Sequence, residues 1–255
     1  MKAFVSWSGG KETSLSCYKV MQNQDVKVAY LLNMISEDGK YSRSHGVGSD
    51  LLRAQAEAIG IPIVQRKTSW KTYEEEFKRA VSDLEKDGIE AGVFGDIDLR
   101  EHRDWVERVC REIGIRPILP LWKEKREELL KEFIQVGFKA IVIATNADFL
   151  SEEWLGREIN KEFIEDLKVL ENIDLCGEKG EYHTFVYDGP IFKNPVNPVR
   201  TPDFVDEPPI KLQPRSNSCN GMQRGDAFSN GVKFKTGRKI LKNNHWFLEI
   251  IPIRF

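Results

Sequence analysis

The chain has 255 residues, enough for one large domain or one domain with a smaller companion, and for a continuous sheet with helices on both faces. Hydrophobic residues make up 40% and charged residues 31%, as expected of a globular chain with a charged surface, and a net charge of −2 lacks the basic excess of a nucleic-acid binder. No stretch of about 18 apolar residues occurs, so no membrane-spanning helix is expected.

The first apolar run, residues 2–7, reads as a strand and enters directly, without the apolar core of a signal peptide. It leads into Ser6-Trp7-Ser8-Gly9-Gly10-Lys11-Glu12-Thr13 and then into a helical pattern over 11–23. Strand, glycine turn and helix start are the parts of a phosphate site. Glycines let the backbone approach an anion, and the free N–H groups of the helix face it. Lys11 adds a point charge; Ser8 and Thr13 add hydroxyls. The spacing is not Walker A, because Val5 stands where its first glycine belongs, and no G-x-G-x-x-G is present.

Further strands are predicted at 26–34, 61–66, 91–95, 116–120 and 138–145, and further helices at 49–59, 71–87, 98–113, 123–136 and 160–170. The strands are short apolar runs without clear alternation, the pattern of buried parallel strands. Repeated β-then-α units with short turns predict an α/β fold with a doubly wound parallel sheet. Gly60-Ile61-Pro62 and Gly114-Ile115-Arg116-Pro117 read as helix stop, turn and next strand. In 98–113, Asp98 and Glu101 have the spacing of a capping box.

After about residue 172 the pattern changes. Residues 178–192 mix glycine, acids and aromatics; 194–231 carry prolines, serines and asparagines with little periodicity and read as a long loop or disordered insertion. Residues 232–236 and 246–253 are predicted to be closing strands. The expected organisation is a nucleotide domain over 1–150 and a smaller C-terminal α+β region over 151–255. Cys17, Cys110, Cys176 and Cys219 form no C-x-x-C pair, and Cys17 and Cys110 read as small buried apolar residues. A reducing, cytoplasmic compartment is the expectation.

In an open α/β sheet the ligand crevice lies at the carboxyl ends of the strands. Five predicted loops emerge there: the glycine loop; residues 36–48 with Ser42-Arg43-Ser44-His45-Gly46; Lys67-Thr68-Ser69-Trp70; residues 95–103 with Asp96, Asp98, Glu101 and His102; and Ala144-Thr145-Asn146-Ala147-Asp148. Asp96, one residue past a strand end, is placed to hold Mg²⁺ or orient a substrate. The segment Cys176-Gly177-Glu178-Lys179-Gly180-Glu181-Tyr182-His183-Thr184 carries more reactive groups than a hairpin turn needs.

Taken in order, Ser8-Gly9-Gly10-Lys11-Glu12-Thr13, Gly95-Asp96-Ile97, Glu101-His102-Arg103, Pro120-Leu121-Trp122 and Gly177-Glu178-Lys179-Gly180-Glu181-Tyr182-His183-Thr184 resemble the diphthine–ammonia ligases, N-type ATP pyrophosphatases of the PP-loop superfamily. The resemblance covers roughly residues 1–193 and resumes near 232. Glu12-Thr13 replaces the commoner Asp-Ser.

The resemblance implies amidation of diphthine on translation elongation factor 2 by ATP and ammonium, through an acyl-adenylate, releasing AMP and pyrophosphate. By it, Ser6, Ser8, Gly9, Gly10, Lys11, Glu12 and Thr13 would cradle the ATP phosphates, with Lys11 catalytic. Asn33 and Met34 would border the adenine, with His45 and Gly46 near the nucleotide. Asp96 would assist Mg²⁺. Glu178, Glu181, Tyr182 and His183 would line the substrate side, an acid among them taking the proton of ammonium. Tyr182 or Trp105 would meet the trimethylammonium group of diphthine through cation–π contact. A homodimer is the candidate assembly; neither membrane nor nucleic acid is implied. Two rivals remain at this point: another PP-loop ligase, such as a tRNA-modifying one, and a regulatory protein that binds adenine nucleotide without turning it over.

Overall fold

The computed structural model describes residues 1–199 and 233–253. Its first half alternates β1 (Lys2–Ser6), α1 (Lys11–Met21), β2 (Lys27–Ile35), α2 (Ser49–Ile59), β3 (Ile63–Lys67), α3 (Tyr73–Glu85), β4 (Ile89–Val93), α4 (Arg100–Glu112) and β5 (Arg116–Ile118). The five strands form one parallel sheet in the order β3-β2-β1-β4-β5. The chain winds outward from β1 to β3, then returns to β4 on the other side of β1. The winding therefore reverses between β1 and β4, which is where a doubly wound sheet opens its crevice.

Side-chain alternation along β1 shows how the layers form. Ala3 and Val5 join a core with Leu15 of α1 and Leu51, Leu52 and Ile59 of α2. Phe4 points the other way, into a second core with Phe77 and Val81 of α3 and Val106 and Val109 of α4. Cys17 and Cys110 are buried, one in each core, as the sequence predicts; burial pushes both thiols up to about 12. The expected helix stop at Gly60 is present: φ is 81° and its N–H closes on the Ala56 carbonyl at 2.8 Å.

The second half holds α5 (Arg126–Gln135), β6 (Lys139–Asn146), a 3₁₀ turn at Glu152–Trp154, α6 (Lys161–Lys168), β7 (Tyr182–Asp188), β8 (Asn197–Val199), β9 (Lys233–Lys242) and β10 (His245–Ile253). These strands make a separate sheet in the order β7-β6-β10-β9-β8. The run at 138–145, expected to extend the parallel sheet, is β6, antiparallel to both β7 and β10. Burial on both faces makes such a run look parallel, because hydrophobicity does not report pairing direction. Its loop at 144–148 therefore belongs to the second sheet. Ala140 and Val142 of β6 and Phe185 of β7 share the core of α1 and α2, so α1 is packed between the two sheets.

Two other expectations change. Within 178–192 lies β7, whose Phe185, Val186 and Tyr187 are buried. Within 194–231, Asn197–Val199 forms β8, and the remainder of that predicted loop, 200–231, lies outside the described residues. The closing strands are longer than predicted. Among the described residues no helix is long and apolar enough to cross a membrane.

Candidate active site

The turn after β1 is shaped by close packing. Gly9 has φ of +82°, and a Cβ there would lie 2.4 Å from Leu52 Cδ2 and 2.8 Å from Gln55 Oε1. A Cβ on Gly10 would stand 2.5 Å from the His45 ring. No residue with a side chain fits either place without displacing a neighbour. Inside the turn, Ser8 Oγ accepts the Gly10 N–H at 3.3 Å and lies 3.3 Å from Thr13 Oγ1, which donates to the Gly10 carbonyl at 3.2 Å. Gly95, two residues past β4, lets the chain press on α1: its Cβ would be 3.2 Å from the Thr13 nitrogen. Asp96 is thereby carried to the mouth of the turn.

The second sheet closes the turn from the other side. Val186 N–H donates to the Gly9 carbonyl at 3.0 Å, and the Lys11 N–H donates to Thr184 Oγ1 at 3.1 Å. Gly10, the N-cap of α1, has no side chain to offer, so Thr184 caps the helix from β7. Lys11 crosses the same junction. Its ammonium donates to the Cys176 carbonyl at 2.6 Å, pairs with Glu12 at 2.5 Å and lies over the Tyr182 ring. Burial alone would lower the Lys11 pKa; the Glu12 carboxylate, with Tyr182 and Cys176, outweighs it and holds the ammonium charged above its ordinary range.

The turn at 174–181 is held by its own acids. Glu181, with no exposed surface, accepts the N–H groups of Asp174 at 3.1 Å and Lys179 at 3.0 Å. Asp174 pairs with Arg126 at 2.5 Å, and Arg126 also reaches Asp98 at 2.7 Å. Glu181 thus organises the turn and does not line the cleft. Asp98 faces α5 and is not a cap: α4 starts at Arg100 behind Leu99, with no side-chain cap bond. The predicted capping box is absent because Arg126 takes the carboxylate that would have formed it.

Between these parts opens a cleft of ≈ 310 Å³. Ser6, Ser8, Lys11, Glu12 and Thr13 line it, as do Met34, His45, Asp96, Glu178, Tyr182 and His183. Burial, then the nearby Glu12, raise the Glu178 carboxyl to about 7, although Lys11 pulls against them. Asp96 Oδ1 is 3.2 Å from His102 Nδ1, and this hydrogen bond raises the imidazole's pKa. His45 and His183 stack at 4.5 Å between centroids. Burial, then the Lys11 charge, pushes His45 down to about 4; burial, then His45 and Lys11, pushes His183 down to about 3. Both rings are neutral at pH 7.

Several expected residues stand elsewhere. Asn33 is buried, donating to the Trp7 carbonyl at 2.7 Å and Ser42 Oγ at 3.1 Å, so it ties β1 to the 36–48 loop and does not border the cleft. Gly46 does not line the cleft; a Cβ there would lie 3.8 Å from Phe247 Cε1 of β10. Tyr182 contributes an edge of the wall, but its face is covered by Lys11 and its hydroxyl donates to the Leu175 carbonyl at 2.5 Å. Trp105, packed against Phe77 and donating to Glu74, does not line the cleft. Tyr73, which lines the cleft, and Gln55, behind the turn, were not anticipated. Gln55 had a signal: a polar amide within the apolar face of α2.

The carboxylates of Glu12, Asp96 and Glu178 thus meet around one cleft, yet no group of three acids, histidines or cysteines among the described residues forms a ready-made metal cage. Such a donor set suits a cation shared with phosphate oxygens better than one caged by protein alone.

Comparison with known proteins follows the same two parts. The Diphthamide synthase N-terminal domain matches residues 1–117, and the Diphthamide synthase C-terminal domain matches residues 125–202. The chain belongs to the diphthamide synthase family. The mouse protein named diphthine–ammonia ligase is 31% identical over 222 residues, covering 77% of this chain and 82% of its own. The human protein of that name is 30% identical over the same shares. A fission yeast relative is 30% identical over 216 residues, 76% of this chain but 35% of its own length. A solved structure described as a predicted subunit of tRNA methyltransferase, from Methanocaldococcus jannaschii, aligns with a TM-score of 0.40 at 16% identity, covering 73% of this chain and 96% of that one. In this member of the diphthamide synthase family, the junction between the two matched domains passes through the cleft: residues 6–13 come from the first and 176–184 from the second.

Proposed function

We propose that this protein uses ATP to activate the carboxylate of diphthine on translation elongation factor 2 and delivers it to ammonia, forming the amide of diphthamide. Carboxylate is a poor acyl donor. Its attack on the α-phosphorus expels pyrophosphate and leaves an acyl-adenylate with AMP as leaving group. Ammonia then attacks the acyl carbon and AMP departs.

One relationship carries this reading: the turn of residues 6–13 and the raised carboxyl of Glu178 face the same cleft. In this reading the helix N-terminus of α1, Ser8, Thr13 and the charged Lys11 would receive the polyphosphate and stabilise charge on departing pyrophosphate. Glu178, at about 7, is divided between its two forms near neutrality and would take the proton that ammonia must lose. Glu12 and Asp96 add negative field that would draw ammonium into the cleft. Asp96 would hold Mg²⁺ jointly with the nucleotide phosphates; the ion would supply charge neutralisation.

Incubation with ATP, Mg²⁺, ammonium and diphthine-bearing elongation factor 2 tests the reading. AMP and pyrophosphate should form only with the modified factor and in step with its amidation. AMP released with another acceptor would discard the substrate, and nucleotide bound but unchanged would discard the ligase.

A further inference from the structure

Gln55 sits midway along α2 with no exposed surface, beside Leu51, Leu52, Ala56 and Ala58. A primary amide buried among such neighbours is costly unless it is hydrogen-bonded. Gln55 bonds to three residues at once, two in the turn after β1 and one on β7. Its Oε1 accepts the indole N–H of Trp7 at 2.9 Å; its Nε2 donates to the Gly9 carbonyl at 3.0 Å and to the Val186 carbonyl at 2.5 Å. The Gly9 carbonyl also receives the Val186 N–H at 3.0 Å, so both of its lone pairs are engaged from the side away from the cleft.

The consequence lies in the next atom along the chain. The Gly9 C=O and the Gly10 N–H belong to one planar trans peptide and point in opposite directions. Anchoring the carbonyl turns the N–H to the opposite side, where it donates to Ser8 Oγ, a cleft-lining hydroxyl, over a long 3.3 Å bond. An anion in the cleft would be a stronger acceptor for that N–H than a hydroxyl. With Gly9 in the left-handed region, this peptide has no regular ladder to fix its orientation.

We propose that Gln55 is a positioning residue for nucleotide binding: by clamping the Gly9 and Val186 carbonyls it aims the Gly10 N–H at the polyphosphate and joins β7 to the phosphate loop. The inference rests on the ATP reading of the cleft. It names a residue outside the cleft, on a helix that supplies nothing to the proposed chemistry.

The test is direct binding of ATP and of adenosine to the full chain, by titration calorimetry, for wild type, Q55L and Q55E. Q55L removes both donors. Q55E keeps the acceptor for Trp7 but sets a carboxylate against two carbonyl oxygens; when protonated, it regains one donor. ATP affinity should fall about tenfold in Q55L, the scale of one charge-assisted hydrogen bond, while adenosine affinity stays within about twofold. In Q55E the ATP deficit relative to wild type should be large at pH 8 and shrink towards pH 6, because burial raises a carboxyl pKa. A parallel loss of ATP and adenosine, or unchanged ATP affinity in both variants, would overturn the proposal. If Q55L does not fold, the pH trend of Q55E decides alone, a flat deficit counting against it. Wild type that binds no ATP would overturn the nucleotide reading itself and this inference with it.

Discussion

The Lys11 ammonium lies 4.5 Å from the centre of the Tyr182 ring, so a lysine of one matched domain is seated on an aromatic face of the other. The tyrosine that the sequence suggests as a substrate contact therefore seats the lysine of the glycine turn. Tyr182→Phe keeps the face and removes only the bond to the Leu175 carbonyl, at a cost of about 1 kcal/mol in urea unfolding. Tyr182→Leu removes the face as well, and a desolvated cation–π contact of about 2 kcal/mol predicts a roughly thirtyfold loss in kcat/KM for ATP. Equal kinetics in the two variants would show that the ring does nothing for Lys11.

Glu178 gives the reaction a pH signature. With a carboxyl near 7, a general base is available only above that pH, so the amide-forming rate should rise with pH and level off beyond it. Hydroxylamine, a far weaker base than ammonia and mostly unprotonated at the Glu178 midpoint, replaces ammonium in the assay so that the nucleophile's own titration intrudes far less. Glu178→Gln should abolish the rise and lower the plateau about a hundredfold, within the usual range for general-base catalysis, while pyrophosphate release persists. A rise that survives in the variant would assign the base elsewhere.

The two loop glycines should fail differently. Gly9→Ala forces a side chain into the left-handed region and against Leu52 and Gln55, and about 3 kcal/mol of destabilisation is expected in urea unfolding. Gly10→Ala meets the tip of the His45 ring, which can move, so a smaller loss of stability and a larger loss of ATP affinity are expected. The reverse order would mean that His45 is fixed more firmly than Leu52.

Much of this site is legible in the sequence because its signals are local. A glycine turn between a strand and a helix places Ser8, Lys11 and Thr13 together, and Asp96, in the loop just past β4, is at the crevice by topology alone. What is not legible depends on pairing across the chain. Nothing local separates Glu178, which faces the cleft, from Glu181, whose carboxylate is spent on two backbone N–H groups seven and two residues away. Nothing local shows that Asp98 will find Arg126 and abandon its cap, or that β6 runs antiparallel to its neighbours. Asn33 and Gln55 make the same point: each is an amide whose partners are set by how loops and sheets meet.

The stacked His45–His183 pair ties the junction to pH. Both rings are neutral in the folded protein and would be ordinary imidazoles, near 6.5, once unfolded. Below 6.5 the unfolded chain therefore binds protons that the folded chain refuses, and stability must fall as pH drops from about 6.5 towards 4. Lys11 sharpens the effect, since its charge opposes protonation of both rings. Glu178 acts in the opposite sense. Its raised pKa makes folding less favourable as pH climbs from the ordinary carboxylate range to about 7, so the two trends partly cancel between pH 5 and 6.5. Removing Glu178 should expose the histidine term: E178Q is expected to lose thermal stability more steeply than wild type between pH 7 and 5. The triple variant H45Q/H183Q/E178Q should be flatter than E178Q across that interval. Melting curves at half-unit pH steps read both slopes, and a triple variant as acid-sensitive as E178Q would place the titrating groups outside this pair.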